Sequence, residues 1–531
     1  MKKIVFALSA LAVLLTACSK DFINPRHNSS EPLDEYFNTP ERLFQCLVAA
    51  YDPLEWYDYA FGQYDNLHLI FDVMGDDVYA GGSNEGDQTS IVKTHYYTAT
   101  STDQPNQIWT VNYSGINRAA TLIKYVDGAE GVSEETKKLY VAEAKVLMAY
   151  YYNMLWKLWG NIPYWEELLE APYIAPQLGH DEVYANFIKL LEDTIGMDVL
   201  PMKAKVGDEG RVTKAMAYML YAEAVLYQND QSRYQTALNY MKEIISSGQY
   251  SLVSDFAGIW EESGEWCAES IWEINYISEG GVRDWGSSIA TGGQVNSILT
   301  GIPAPKNVPD YHEGWGFGTI AKSAYDMYDD DDIRRDGGIL NFDAYAKTLF
   351  EKNGVNMDLY PTAIKKGKTE DEKKELDKAG AAYYVERWQD TGFWNRKYIA
   401  REGGNHGYKA SDNLNYGNNE RIYRYAETLL NAAELSVLLG QDGSAYLQQV
   451  RDRAHCHDTG VSREDIIQER HKEFVGEGKR YWDLVRSGLA PTVLKAANHE
   501  WRQNDWTENK KYWPIPQSEI DKDPSLEQNN Y

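Results

Sequence analysis

The sequence predicts a mostly α-helical protein, with tetratricopeptide-like helical hairpins forming a frame and one long loop-rich insertion containing minor β-structure. Three observations carry this. The first is the stretch from Ser133 to Trp165, where Ser133-Glu134-Glu135 marks a helix start and Gly160 with Pro163 marks a stop. At about 100° per residue, Tyr140, Ala144, Leu147, Tyr151, Met154 and Leu158 share one face. Ala142, Val146, Ala149, Trp156 and Trp159 fall roughly opposite, and Glu143, Asn153 and Lys157 keep a narrow polar edge. A helix apolar on two opposed faces is sandwiched between other helices, as in a layered or solenoid-like frame. The second observation is recurrence: Ala142-Glu143-Ala144, Ala222-Glu223-Ala224 and Ala433-Glu434-Leu435 sit at comparable places in three helices, two of them followed by a partner helix. The third is a break in rhythm between Ser254 and Asn419, where Gly, Asp, Trp and Pro dominate and Ser270 to Tyr276 is the clearest strand. An aperiodic stretch of this length inside a helical chain is usually functional or disordered, and its Trp content argues against disorder.

In chain order, residues 1–17 read as a secretory signal: Lys2 and Lys3, then an apolar run from Ile4 to Leu15 that is too short to span a bilayer. Leu15-Thr16-Ala17-Cys18 resembles the bacterial lipobox, in which the Cys18 thiol is lipidated and becomes the N-terminus. Several acyl chains at about 0.8 kcal/mol per buried CH₂ make a lasting anchor. Ser19, rather than Asp, after Cys18 directs such a lipoprotein to the outer membrane under the retention rule of enteric bacteria. Residues 18–32 have the composition of a tether, and 33–531 read as one helical domain with the insertion at about 254–419. A first helix places Leu43, Leu47, Ala50 and Leu54 in register, and a second stripe runs Leu67, Ile70, Phe71, Met74. Asp76 to about Asp103 reads as a polar, Gly-rich loop carrying Tyr79, Tyr96 and Tyr97, the kind of segment in which binding residues concentrate. Further helices are expected from about Asp181 to Ile195, from a Thr213 cap, and from Tyr234 to Ser247 with a stop at Gly248. A final pair, Tyr425 to Leu439 and Ala445 to Ala454, closes the series.

Composition narrows the function. The formal charge is −28, and removal of Lys2 and Lys3 with the signal leaves −30. Phosphate recognition needs clustered Lys and Arg, so a nucleic-acid or anionic-membrane partner is excluded and the expected ligand is neutral or cationic. The 40 Tyr and 16 Trp against 13 Phe put the aromatic excess in rings with a polar tip, suited to half-wet surfaces. Cys46, Cys267 and Cys456 are an odd count and indicate no disulfide framework. His455-Cys456-His457 lacks metal-ligand spacing, and Asp329 to Asp332 lacks the spacing of a calcium loop, so that run reads as a solvated turn. No metal or other cofactor is expected. Glu469, Arg470, Glu473, Glu477, Arg480, Asp483 and Arg486 recur at three- and four-residue gaps, which on a helix build a ladder of opposite charges. This ladder reads as structural rather than as a catalytic carboxylate pair. Neither a zinc-protease motif nor a phosphate loop is present around it.

The last 110 residues carry a family resemblance. Arg421-Ile422-Tyr423-Arg424-Tyr425-Ala426-Glu427, Val450-Arg451-Asp452-Arg453-Ala454, Glu469 to Phe474, and Glu477-Gly478-Lys479-Arg480-Tyr481-Trp482-Asp483 resemble the SusD/RagB-like outer-membrane lipoproteins of Bacteroides-type bacteria. The ending, Trp513-Pro514-Ile515-Pro516 through Asp523-Pro524-Ser525-Leu526, is similar too, and Trp159-Gly160-Asn161-Ile162-Pro163 and Glu269 to Ile274 match in order upstream. The resemblance covers nearly the whole mature chain. It departs at His455, where the family usually has Gly, which puts the local turn geometry in doubt.

The resemblance implies a non-enzymatic binder of glycan or another nutrient, lipid-anchored at the cell surface, that hands oligosaccharide to a SusC-like TonB-dependent transporter. Ligands in that family often bind at loops projecting from the frame. This points to Tyr79, Tyr96 and Tyr97 in the first loop and Arg283, Asp284, Trp285 and Trp315 in the second, although no family motif marks these positions. Two other classes stay open at this point: a helical surface glycosidase or lyase, and an assembly protein of the transporter complex that touches no small ligand.

Overall fold

The computed structural model describes residues 33–57, 64–278, 293–402 and 414–531. The signal, the tether with Cys18, and Arg283, Asp284 and Trp285 lie outside them. The frame is a succession of helices, each packed on the next. Pro40–Tyr51 lies on Asn106–Tyr125, which lies on Glu134–Trp159, and that helix meets His180–Gly196. Lys214–Gln228 pairs with Tyr234–Ser246, and Tyr425–Leu438, some 180 residues later in sequence, docks on Tyr234–Ser246 and pairs with Ser444–Ala454.

Local chemistry sets the ends of the central helix. The Ser133 hydroxyl accepts the Thr136 N–H at 3.1 Å, Glu134 and Glu135 occupy the first turn, and Gly160 at φ +69° ends it. From Ala142 to Trp159 every residue but Lys145 is buried, the polar edge included. That edge does not meet water, as its spacing suggests. Glu143 takes the Arg211 guanidinium and the Tyr51 hydroxyl, while Lys157 and Asn153 meet Glu223 of the next hairpin, with the Lys157 ammonium also 4.6 Å above the Trp482 ring. Two opposed apolar faces force the third side inward, so its charges need internal partners.

Several helices go beyond those expected from the sequence. Asn106–Tyr125 starts after Pro105 without a side-chain cap, and Thr89–His95 starts from Gln88 at φ +52° inside the expected first loop. The insertion holds Phe342–Asn353 and Glu370–Ala379, the latter with a Thr369/Glu372 capping box and Leu376 as its one buried residue. The expected strand appears as Ser270–Ile274, antiparallel to Glu420–Arg424, so that the two ends of the insertion are paired. Ile339–Asn341 and Phe393–Asn395 form a second small pair.

The charge ladder is not one helix. Gly476 at φ +78° and Gly478 at φ +70° separate Arg463–Phe474 from Arg480–Arg486, and the charged side chains point into the fold. Nor is Asp329–Asp332 wholly a solvated turn. Asp332 is buried, caps Ile333–Gly338 and holds Arg334 at 2.7 Å. His455 adopts the left-handed conformation, φ +60°, that the usual Gly would take, with the Cys456 N–H closing on the Arg451 carbonyl at 2.9 Å. Cys46, Cys267 and Cys456 are free thiols. No described helix is long and apolar enough to cross a membrane.

Candidate functional site

Of the seven expected ligand-binding residues, four lie among the described ones, and they part into two groups. Tyr79, Tyr96 and Tyr97 are 7, 5 and 7% exposed and tie the first loop to the C-terminal segment. The Tyr97 hydroxyl donates to the Met74 carbonyl at 2.6 Å beneath the Arg502 guanidinium, and burial pushes its phenol well up. Tyr79 sits edge-on to Trp501 at 4.6 Å and accepts the Glu500 N–H at 3.4 Å, while Tyr96 accepts from Gln389 Nε2 at 3.3 Å. Their ring faces are covered, and they position the loop.

Trp315 is different. It is half-buried, meets Tyr64 edge to face at 5.3 Å, and is anchored through its backbone: its N–H donates to the Ile298 carbonyl at 2.6 Å and its carbonyl accepts from Arg387 Nη1 at 2.9 Å. The Gly82 N–H donates to the Gly316 carbonyl at 2.8 Å and the Trp388 N–H to the Gly82 carbonyl at 3.1 Å, which brings half-buried Trp388 to the same place. Gly82 needs to be glycine: at φ +88° a Cβ would lie 2.4 Å from the Phe317 ring. Tyr64 follows 58–63 directly. Gln294, just after 279–292, exchanges backbone hydrogen bonds of 2.8 and 3.1 Å with Tyr416, just after 403–413. Tyr64 and Trp315 thus form an aromatic pair with the Arg387 side chain against it, and the backbone links through Gly82 bring the Trp388 main chain near; we refer to this as the aromatic platform. Sequence reasoning singles out Trp315 as a candidate but neither Tyr64 nor Trp388. Nothing local distinguishes those two, since the hydrogen bonds that gather them join stretches far apart in sequence.

The acidic residues that resemble catalytic candidates are fully engaged. Arg334, Arg424, Arg451, Arg453 and Lys397 meet Asp332, Glu269, Glu469, Glu473 and Glu477 in one buried network, five charges of each sign. Against the burial that would raise it, Arg453, Arg424 and Arg334 hold the Glu473 carboxyl far below its usual range. A carboxylate held ionised by three guanidiniums cannot serve as a proton donor near neutral pH. Two clusters of metal-ligand types occur among the described residues, Asp76/Asp77/His471 and Cys456/Asp458/Glu469. Each already has a cation in place: Arg480 grips Asp76 at 2.7 and 2.9 Å, and Lys472 reaches Asp458 at 2.8 Å.

Two family models match the sequence, the SusD family over residues 268–531 and a model described as starch-binding, associating with outer membrane, over residues 21–226. The chain belongs to the SusD family. Among solved structures it is similar to surface glycan-binding protein A from Bacteroides thetaiotaomicron, 41% identical with a TM-score of 0.82 over 93% of this chain and 100% of that one. The same protein in complex with laminarihexaose gives 0.81. A laminarin-binding SusD-like protein is 27% identical with a TM-score of 0.78, covering 93% of this chain and 99% of its own. SusD-like protein P25 of Formosa agariphila is 25% identical over 440 residues, 79% of this chain and 77% of that protein. These SusD-family relatives confirm the helical fold expected from the sequence.

Proposed function

We propose that this SusD-family chain is a cell-surface lipoprotein, anchored in the outer membrane through Cys18, that captures a neutral oligosaccharide of the laminarin type and delivers it to a SusC-like TonB-dependent transporter. The carrying observation is the Tyr64–Trp315 pair with Trp388 beside it, on a chain 41% identical to a protein solved with laminarihexaose. Sugar rings present C–H faces that stack on such indoles and phenols, and their hydroxyls take the Arg387 edge. A mature charge near −30 disfavours polyanionic glycans at distances within a Debye length of about 8 Å. Names of relatives that speak of binding, together with carboxylates consumed by a structural network, favour a binder over a hydrolase.

Calorimetry of the mature chain with laminarihexaose tests this, alongside an assay for new reducing ends. Binding in the micromolar to millimolar range, weakened at least tenfold in Trp315→Ala and accompanied by no new reducing ends, is expected. Reducing ends released in proportion to enzyme would establish the hydrolase instead. Tight, steeply salt-dependent binding of an anionic glycan would overturn the neutral ligand. Cys18→Ala is expected to move the chain from the membrane to the soluble fraction, and its retention there would point to a second anchor.

A further inference from the structure

We propose that the chain carries a second oligosaccharide-binding groove, separate from the Trp315 platform, between helix Phe342–Asn353 and the stretches 309–311 and 396–402. This rests on the glycan-binding reading above. The groove holds about 750 Å³, within the range of small-molecule sites. Its walls are mainly polar and carry three tyrosines. Tyr311 meets Tyr345 edge to face at 5.4 Å, and Tyr325 lies under the Arg335 guanidinium at 5.4 Å.

The charges in the groove are balanced by the protein itself, and this defines the ligand class. Arg335 pairs with Asp330 at 2.7 Å and Asp336 at 3.2 Å, and Asp336 also accepts the Tyr325 hydroxyl at 2.8 Å. Asp310 accepts the Tyr345 hydroxyl at 2.7 Å, and Glu402 lies 2.8 Å from His312 Nε2. The Arg401 guanidinium donates to the carbonyls of Trp260, at 3.2 Å, and Arg396. A phosphate or sulfate would find no free cation pair here, and a metal ion no uncommitted carboxylates. What remains on offer is the half-buried Tyr325 and Tyr345 side chains and the outward lone pairs of those carboxylates. Tyrosines among outward hydrogen-bonding edges suit an uncharged polyhydroxylated ligand.

The groove and the platform are built on different packing. Tyr311, Leu340 and Phe342 belong to a small cluster of the insertion, while Trp315, Tyr64 and Trp388 pack on the main core. Trp315 lies four positions after Tyr311, at most about 14 Å of extended chain. A polymer therefore reaches both sites at once, and two weak sites on one chain multiply affinity through effective concentration.

The test uses the mature chain and laminarihexaose, read by hydrogen–deuterium exchange. Wild type is expected to gain protection both around 313–317 with 386–389 and around 341–348. Ala344→Trp places an indole in the groove from an exposed helix position. It should remove the second protection and keep the first, Trp315→Ala should do the reverse, and Tyr345→Ala should match Ala344→Trp. Laminarin polymer should bind at least tenfold more weakly to each variant than to wild type. Protection of the platform alone, or groove protection that survives Ala344→Trp or disappears in Trp315→Ala, would overturn the second site while leaving the function standing. Protection nowhere would overturn both.

Discussion

Replacing Glu473 with Gln removes one charge from a buried network that is otherwise neutral. Glu473 accepts from Arg424 at 3.1 Å and Arg334 at 3.2 Å, and it holds Arg453 as well. The carboxamide keeps the shape but leaves five cations facing four anions, all with nearly inaccessible side chains. An uncompensated charge of this kind costs about 3–5 kcal/mol, whereas the intact pairs contribute little net stability. An unfolding entropy of about 2.1 cal/mol/K per residue over roughly 500 residues comes to about 1 kcal/mol per degree, so the melting temperature should fall by about 3–5 °C. Differential scanning calorimetry of the mature chain at pH 7 measures it, with Asp371→Asn, which breaks an exposed pair with Lys374, as a control that should not move the transition. A Glu473→Gln midpoint within about 1 °C of wild type would refute the reasoning, because it would mean that water or a rearranged side chain already compensates the charge.

Asp65 is a buried carboxyl whose pKa burial raises to about 7, with the Ser90 hydroxyl as a partner. Its folded pKa lies above the unfolded value of about 3.9, so the stability Asp65 itself contributes is fully present below about pH 4 and is lost as pH rises through 7, by up to about 4 kcal/mol. Asp65→Asn should therefore raise the melting temperature at pH 8 and leave it unchanged at pH 4, as parallel melts would show. His455→Gly relieves a left-handed residue and should stabilise by about 0.5–1 kcal/mol, net of the greater chain entropy of unfolded Gly; a denaturant midpoint that falls would contradict this. Trp482→Ala removes a ring wedged against Phe71 at 5.0 Å and Tyr227 at 5.7 Å. It should cost about 3–5 kcal/mol, and the protein that remains folded should bind laminarihexaose with unchanged affinity by calorimetry.

What could be read from sequence was local. Ser133, Thr213, Gly160 and Gly248 fix helix ends through interactions within one turn, and those ends were placed within a residue or two. Helix Glu370–Ala379 buries only Leu376, so it has no apolar period to detect. Asn106–Tyr125 lacks a cap altogether. The charge spacing at Glu469 to Arg486 was legible, but its meaning was not. Spacing along a chain says nothing of Arg334, Lys397 and Arg424 arriving from elsewhere. For the same reason Trp315 stood out as one Trp among many, while its partner Tyr64, some 250 residues away, did not.

The position of that buried network explains how an insertion without helical periodicity stays put. Asp332, Arg334 and Lys397 come from the insertion, Glu269 stands at its start, Arg424 closes the strand that pairs back to it, and Glu469, Glu473 and Glu477 come from the C-terminal helical segment. An irregular segment cannot dock by interlocking ridges as the hairpins do. Directional charge pairs give it one register instead, at little gain in stability. The second strand pair joins Ile339 to Asn395, two residues before Lys397, and the Ile320 N–H donates to the Phe393 carbonyl at 3.0 Å. Through those contacts the network reaches the 315–320 stretch and hence Trp315. A mutation in the network should therefore alter glycan affinity only as far as it loosens this path.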